Sequence, residues 1–128
     1  MSEVKQSTFI ITFEDRSVDP KTIVTQGLRI GRASDSDIWL NHPSVSRLHA
    51  GINEIEGYFY VFNLSASSAT ALNGRLIPFN ESAALTTGDE LQIGPFFLNV
   101  EQIFLNDEQT DEIFRIRIVA QFALAVGE

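Results

Sequence analysis

The sequence predicts an all-β fold, a β-sandwich of short strands, and three observations support this prediction. Apolar and polar residues alternate along several segments, which places the apolar side chains on one face of a strand. Turn-forming dipeptides separate these segments at short intervals. Of the 128 residues, 44% are hydrophobic and ten are Phe, so one domain can bury a substantial core without covalent cross-links.

The predicted strands begin close to the N-terminus. In Thr8 to Phe13, apolar residues at 9, 11 and 13 alternate with threonines. The segments that follow contain many β-branched and aromatic residues, as strands do. They are 22–30, 37–40, 50–55, 58–64, 70–72, 91–93 and 96–105. The turns between the segments are Asp19-Pro20, His42-Pro43, Glu56-Gly57, Asn73-Gly74, Thr87-Gly88-Asp89 and Gly94-Pro95.

The segment 114–126 has the most regular alternation. Every second residue from Phe114 to Val126 is apolar, and the intervening positions include Arg115, Arg117 and Gln121. We therefore predict a long strand with one buried face. A helix is the competing interpretation, because Ala and Leu are good helix formers, but strict period-two alternation favours the strand. Only 44–49 lacks a strand pattern, and we expect it to be irregular or helical.

A single domain is expected across residues 1–128, because no repeat, low-complexity tract or flexible linker interrupts the sequence. The absence of cysteine excludes disulfides, thiolate metal sites and cysteine nucleophiles. Residues 1–5 do not resemble a signal peptide, and no apolar run approaches the roughly 18 residues that a membrane span requires. We therefore expect a cytoplasmic protein without a membrane anchor.

The charge is unevenly distributed. The net charge is −8, and residues 81–128 contain nine acidic and two basic residues, against eight and seven in residues 1–80. This acidity argues against nucleic-acid binding, which needs a clustered excess of Lys and Arg. Residues 1–80 are nearly neutral and can still hold a site for one small anion. The alternative is that their arginines belong to an ordinary solubilising surface. The candidate arginines are Arg29, Arg32, Arg47 and Arg75.

Two short segments in the near-neutral part suggest an oxyanion site. Gly31-Arg32 follows a predicted strand, where glycine permits close approach of a backbone or ligand and arginine can bind phosphate through two N–H groups. Ser46, Arg47 and His49 bring a hydroxyl, a guanidinium and an imidazole within four residues. Each residue also has an ordinary explanation, as a solvated arginine, a polar loop residue or a structural histidine.

Catalysis and metal binding have weaker support. Ser46 and His49 would need an orienting carboxylate and an oxyanion hole, and no nucleophile motif surrounds Ser46. His42 and His49 lie seven residues apart, which is not a metal-ligand spacing. The loop with Asp35 and Asp37 lacks a calcium-binding pattern, and no Walker glycine loop occurs. We expect neither an enzyme nor a bound metal or cofactor.

Together, these segments resemble the forkhead-associated (FHA) domain, an eleven-stranded β-sandwich whose apical loops bind phosphothreonine. The family pattern runs Gly-Arg, an Asp-Ile-like strand, Ser-Arg-x-His, Leu-x-Ser-x-Asn-Gly-Thr-x-x-Asn-Gly and Gly-Asp-x-x-x-Ile-Gly. Five segments match in order and spacing within residues 28–100. They are Gly31-Arg32, Asp37-Ile38-Trp39-Leu40, Val45-Ser46-Arg47-Leu48-His49-Ala50, Thr70-Ala71-Leu72-Asn73-Gly74 and Gly88-Asp89-Glu90-Leu91-Gln92-Ile93-Gly94.

The resemblance implies a role for individual residues. Those at phosphopeptide-binding positions are Arg32, Ser46, Arg47, Ser67 and Ser68. Those at framework positions are Gly31, His49, Asn73 and Gly74.

The chain departs from the family pattern in one loop. Where the family has Ser-x-Asn-Gly-Thr, this chain reads Ala66-Ser67-Ser68-Ala69-Thr70. Ser68 therefore replaces an asparagine whose amide holds the main chain of the peptide, and a hydroxyl is shorter and offers fewer donors.

The function that the resemblance implies is a non-enzymatic module that binds a threonine-phosphorylated protein or peptide. The alternative is a phospho-independent structural or oligomerising domain that associates through sheet surfaces or edges. The altered loop favours the alternative, whereas Arg32 and Ser46 favour phosphothreonine binding.

Overall fold

The computed structural model describes residues 6–15, 17–106 and 113–120, which form two β-sheets. All regular secondary structure in this part of the chain is strand, and the predicted all-β sandwich is confirmed. The strands are β1 Ser7–Phe13, β2 Lys21–Thr25, β3 Gly27–Gly31, β4 Ile38–Trp39, β5 Ala50–Ile55, β6 Tyr58–Asn63, β7 Thr70–Leu72, β8 Arg75–Leu76, β9 Ser82–Ala84, β10 Glu90–Ile93, β11 Phe96–Asn106 and β12 Ile113–Ala120.

Both sheets are mixed. The larger sheet has the order β2-β1-β12-β11-β10-β7-β8, and the smaller has the order β4-β3-β5-β6-β9. β1 pairs with β12 in parallel and β3 pairs with β4 in parallel. The other neighbouring strands are antiparallel. The parallel pair β1 and β12 therefore lies inside the larger sheet and joins the two ends of the described chain.

The core lies between the sheets and comes from alternate residues of the strands. Phe9 and Phe59, from opposite sheets, meet edge to face with ring centroids 5.8 Å apart. β12 buries Ile116, Ile118 and Ala120, which confirms the strand assignment for the described part of 114–126. Residues 121–126 of that predicted strand lie outside the described residues.

The structure differs from the sequence prediction at residues 22–30, which form two strands rather than one. β2 belongs to the larger sheet and β3 to the smaller, so the chain changes sheet at Gln26. The Thr25 hydroxyl donates to the Gly27 carbonyl oxygen (3.2 Å) and accepts from the Gly27 N–H (3.4 Å). Such local hydrogen bonds bend the chain. The inward-facing positions shift from odd to even across this bend, since Ile23 faces the core in β2 whereas Leu28 and Ile30 do so in β3.

Two further differences concern short segments. The two-residue β8 and the three-residue β9 were not predicted, because so few residues show no period. The sequence predicted an irregular or a helical segment at 44–49, and the structure shows the irregular one. No helix occurs anywhere in the described ranges. It follows that none of these residues forms a helix long and apolar enough to cross a membrane.

Candidate functional site

The candidate site is built on two backbone segments that run side by side at the end of β3, residues 31–33 and 45–49, which we call the crossing segments. The Arg32 N–H donates to the Ser46 carbonyl oxygen at 2.9 Å. The Ala33 N–H donates to the Arg47 carbonyl oxygen at 3.1 Å. These main-chain bonds hold the predicted phosphate-binding residues Arg32 and Ser46 in adjacent segments.

Gly31 lies where the two crossing segments approach each other most closely. A Cβ atom at this position would be 2.1 Å from the Arg47 carbonyl oxygen and 3.1 Å from the His49 nitrogen. No side chain fits in that space, so the close packing of the segments requires glycine here.

Arg32 is held at one edge of its guanidinium group. Its Nε donates to the Val45 carbonyl oxygen at 2.9 Å, and the side chain is half-buried. Among the described residues, its two Nη groups have no hydrogen-bond or ion-pair partner. The Trp39 Nε1 donates to the Arg32 carbonyl oxygen at 2.9 Å, which fixes the main chain as well. Arg32 therefore presents an oriented pair of donor groups to an anion.

The other candidate arginines differ in their surroundings. Arg47 is exposed, and its side chain contacts no hydrogen-bond or ion-pair partner in the described ranges. Arg29 is engaged with Asp35, through an ion pair of 3.8 Å and a 2.9 Å hydrogen bond to its carbonyl oxygen. Arg75 lies on the edge strand β8 of the larger sheet. Arg47 is thus the second arginine that the crossing segments leave available.

The loop between β6 and β7, residues 64–69, completes the site, and we call it the serine loop. The Ser46 Oγ lies 2.6 Å from the Ser65 Oγ and 3.4 Å from the Ser67 Oγ. Ser67 is exposed, as a ligand-contacting hydroxyl must be. The Ser68 N–H donates to the Ser65 Oγ at 2.9 Å, while the Ser68 hydroxyl has no partner among the described residues. The structure therefore brings Ser46 and Ser67 together and places Ser68 beside them.

Sequence analysis did not identify Ser65 or Asn63, whose side chains accept hydrogen bonds from the main chain of the serine loop. Asn63 is buried, and its Oδ1 accepts from the Ser65 N–H (3.0 Å) and the Thr70 hydroxyl (2.9 Å). Its Nδ2 donates to the Ile77 carbonyl oxygen at 2.8 Å. A polar residue in a loop is ordinarily exposed, so only the three-dimensional packing distinguishes Ser65 from its neighbouring serines.

His49 connects the crossing segments to the serine loop. It is completely buried, its Nδ1 accepts from the Ser46 N–H (3.1 Å), and its Nε2 donates to the Ala69 carbonyl oxygen (3.0 Å). The neutral ring therefore carries its proton on Nε2. Burial lowers the pKa of His49 below its ordinary value of 6.5, and the bond to Ala69 opposes this with a smaller effect. Since both nitrogens are occupied by main-chain groups, the ring cannot act as a base toward the Ser46 hydroxyl.

Asn73 and Gly74 form the turn between β7 and β8, with φ of 54° and 82°. The Asn73 Nδ2 donates to the Asp89 carboxylate (2.9 Å), and its Oδ1 accepts from the Glu90 N–H (2.9 Å). These bonds fasten the turn to the start of β10. Ala69, in contrast, is not among the residues with positive φ.

No three His, Asp or Glu side chains in the described part of the chain are grouped closely enough to hold a metal ion.

Comparison with known proteins identifies the family to which these features belong. The profile of the FHA domain family matches residues 28–94, more than half of the chain. The chain is 38% identical over 82 residues to the glycogen accumulation regulator GarA of Mycolicibacterium smegmatis. The matched segment covers 64% of this chain and 48% of that protein. The chain is 44% identical over 68 residues to the oxoglutarate dehydrogenase inhibitor of Corynebacterium efficiens, covering 53% of this chain and 46% of that protein. The chain spans about half the length of these relatives.

A solved structure shares the fold. Mycobacterium tuberculosis EmbR in complex with a low-affinity phosphopeptide superposes with a TM-score of 0.57 and 22% identity, over 87% of this chain and 24% of that chain. The family resemblance predicted from the motifs is thereby confirmed.

Proposed function

The chain belongs to the FHA domain family, and we propose that it binds a phosphothreonine in a partner protein and is not an enzyme. The observation that carries this proposal is that the Arg32 guanidinium is bonded to the Val45 carbonyl oxygen, next in sequence to Ser46, whose hydroxyl lies 3.4 Å from that of Ser67. A phosphate carries a charge of about −1.5 to −2 and three strong acceptor oxygens, so it is the kind of ligand that these donors suit.

Arg47 and Ser68 extend the proposed binding surface. Arg47 is exposed at the end of one crossing segment and can add a second positive charge. The Ser68 hydroxyl has no partner among the described residues and is half-buried beside Ser67, so it is available to the main chain of a bound peptide. The framework residues Gly31 and His49 hold the crossing segments and the serine loop in place without contacting the ligand.

The proposal of a non-catalytic role has two supports. The Ser46 and His49 side chains do not form a nucleophile and base pair, because the imidazole bonds main-chain groups on both sides. The names of the relatives describe a regulator and an inhibitor. We also propose a cytoplasmic location, in keeping with a chain that contains no cysteine.

The proposed partner is a threonine-phosphorylated protein, modified by a kinase. The EmbR structure holds a phosphopeptide, and it shares the fold of this chain. The acidic composition of residues 81–128 favours a single-phosphate ligand over a nucleic acid, since a polyanion would be repelled.

A second candidate function is phospho-independent association through another surface. Leu76 is 68% exposed and lines a groove together with Arg75 and Ile77. Phe79, next in sequence to Pro78 of this groove, is 51% exposed. Exposed apolar side chains next to an edge strand are a typical feature of association surfaces.

One titration distinguishes the two candidates. A fluorescent peptide library with a central phosphothreonine is titrated with the protein, and fluorescence polarisation reports binding. Libraries with unphosphorylated threonine and with phosphoserine are the controls. We expect saturable binding of the phosphothreonine library and none of its unphosphorylated counterpart. Equal binding of both would instead support phospho-independent association.

A further inference from the structure

Ser65 lies directly beneath the proposed phosphate site but cannot contact a ligand, because it is only 4% exposed. Its hydroxyl oxygen has three hydrogen-bond partners. They are the Ser46 Oγ at 2.6 Å, the Ser68 N–H at 2.9 Å and the Ser67 N–H at 3.3 Å. Three of the predicted site residues are therefore bonded to one buried atom that the sequence analysis did not identify.

The number of protons available to these partners determines the direction of the Ser46 to Ser65 bond. A hydroxyl group has one proton to donate and two lone pairs to accept with. The two backbone N–H groups can only donate, so they occupy both lone pairs of the Ser65 oxygen. The Ser65 proton must then lie in the 2.6 Å contact, and the Ser46 oxygen is its acceptor.

This direction leaves the Ser46 proton free to point away from Ser65. The remaining neighbour, the exposed Ser67 Oγ, is 3.4 Å away, which is a long and weak contact for two hydroxyl groups. A phosphate oxygen accepts hydrogen bonds and donates none when it is ionised, so a hydroxyl serves it only as a donor. With its oxygen bonded by Ser65 and its N–H bonded by His49, Ser46 is held as an outward donor.

We propose that Ser65 is a positioning residue of the phosphate site: it orients the Ser46 hydroxyl as a donor to the ligand. The inference rests on the proposed function, because it assumes that phosphate is the ligand. It goes beyond that function by assigning a role to a residue that does not contact the ligand. Ser65 acts on the phosphate through Ser46.

A double-mutant cycle tests whether Ser65 acts through Ser46. Phosphothreonine-peptide affinity is measured for the parent, Ser65→Ala, Ser46→Ala and the double variant, and thermal unfolding is recorded for each. We expect Ser65→Ala to weaken binding about tenfold in the parent, and less than about twofold when Ser46 is already alanine. An equal loss in both backgrounds would show that Ser65 only supports the loop, and would overturn the proposal.

Two further variants keep the test informative if Ser65→Ala does not fold. Ser65→Thr retains the hydroxyl and should bind within about threefold of the parent, since its donor and acceptor set is unchanged. Ser65→Cys has a similar size but is a weak donor, so it should weaken binding only where Ser46 is present. Cysteine binding as tightly as threonine would contradict the positioning role.

The outcome also separates this inference from the proposed function. A parent protein that binds the phosphothreonine peptide, together with a Ser65→Ala variant of equal affinity, would overturn the inference alone. A parent protein that binds no phosphothreonine peptide would overturn both.

Discussion

The crossing segments and the serine loop contribute to the same site but are held in different ways. The crossing segments are joined by main-chain hydrogen bonds at Arg32 and Ala33, around a glycine that nothing else can replace. The serine loop has main-chain hydrogen bonds only at its two ends, at Leu64 and Ala69, and between them it is held by side chains, the Ser65 hydroxyl and the Asn63 amide. The chain keeps the family pattern in the first region and departs from it in the second. Anion binding therefore depends on the fold itself, whereas contact with the peptide main chain depends on side chains that can be exchanged.

The largest expected effect comes from breaking the crossing segments at Gly31. Gly31→Ala places a Cβ atom 2.1 Å from the Arg47 carbonyl oxygen, so the two backbones must separate. We expect the free energy of unfolding to fall by about 3 kcal/mol or more. Chemical denaturation followed by circular dichroism measures it. Gly51→Ala is the matched control, since its Cβ would lie 3.5 Å from the nearest atom and should cost less than about 1 kcal/mol. Equal stability of the two variants would contradict the close approach.

The next effect concerns Arg32, the half-buried arginine of the crossing segments. Arg32→Ala should weaken phosphothreonine-peptide binding about ten- to a hundredfold, because hydrogen bonds to charged groups contribute about 1.5–3 kcal/mol. Stability should fall by about 1 kcal/mol, since the Val45 carbonyl oxygen loses the Nε donor. Isothermal titration calorimetry gives the affinity. Arg29→Ala, which removes an arginine engaged with Asp35, should bind like the parent. An unaffected Arg32→Ala variant would mean that the phosphate binds elsewhere.

His49, which joins the two regions, should make stability depend on pH. Its pKa is lowered in the folded protein, so below pH 6.5 the unfolded chain takes up a proton that the folded chain does not. The contribution to stability is complete above the ordinary pKa and is lost as the pH falls through it. Between pH 7.5 and 5.5 the loss is at most about 1.4 kcal/mol.

Denaturation curves at several pH values check this dependence. His49→Gln should be less stable at pH 7.5 and should lack this part of the slope. His42→Gln leaves His49 in place and should retain the slope. A slope that survives in His49→Gln would assign the pH dependence to other groups.

The strands could be predicted wherever burial follows a local alternation, as in β1, which was predicted within one residue of its observed bounds. The change of sheet at Gln26 could not be predicted, because residues 22–30 contain no proline or turn-forming dipeptide that would divide the segment. In the site, the family resemblance pointed to Arg32 and Ser46, since both lie in short motifs that match in order and spacing. Asn63 lies on the buried face of β6 with Phe59 and Val61, so its burial follows the alternation, but its hydrogen bonds to the loop do not. Ser65 could not be identified, because its burial depends on how the loop folds.

The smallest expected effect sharpens the comparison within the serine loop. Ser68→Asn should strengthen phosphothreonine-peptide binding about two- to tenfold, because an amide reaches further than a hydroxyl and offers both a donor and an acceptor to the peptide main chain. Ala69→Gly should add nothing, because Ala69 does not adopt a positive φ and glycine there only increases the freedom of the unfolded chain. Titration of the parent, Ser68→Asn and Ser68→Asn/Ala69→Gly with one phosphothreonine peptide measures both effects. If the double variant binds more tightly than Ser68→Asn, the backbone at residue 69, and not the side chain at 68, limits the affinity of this loop for peptide.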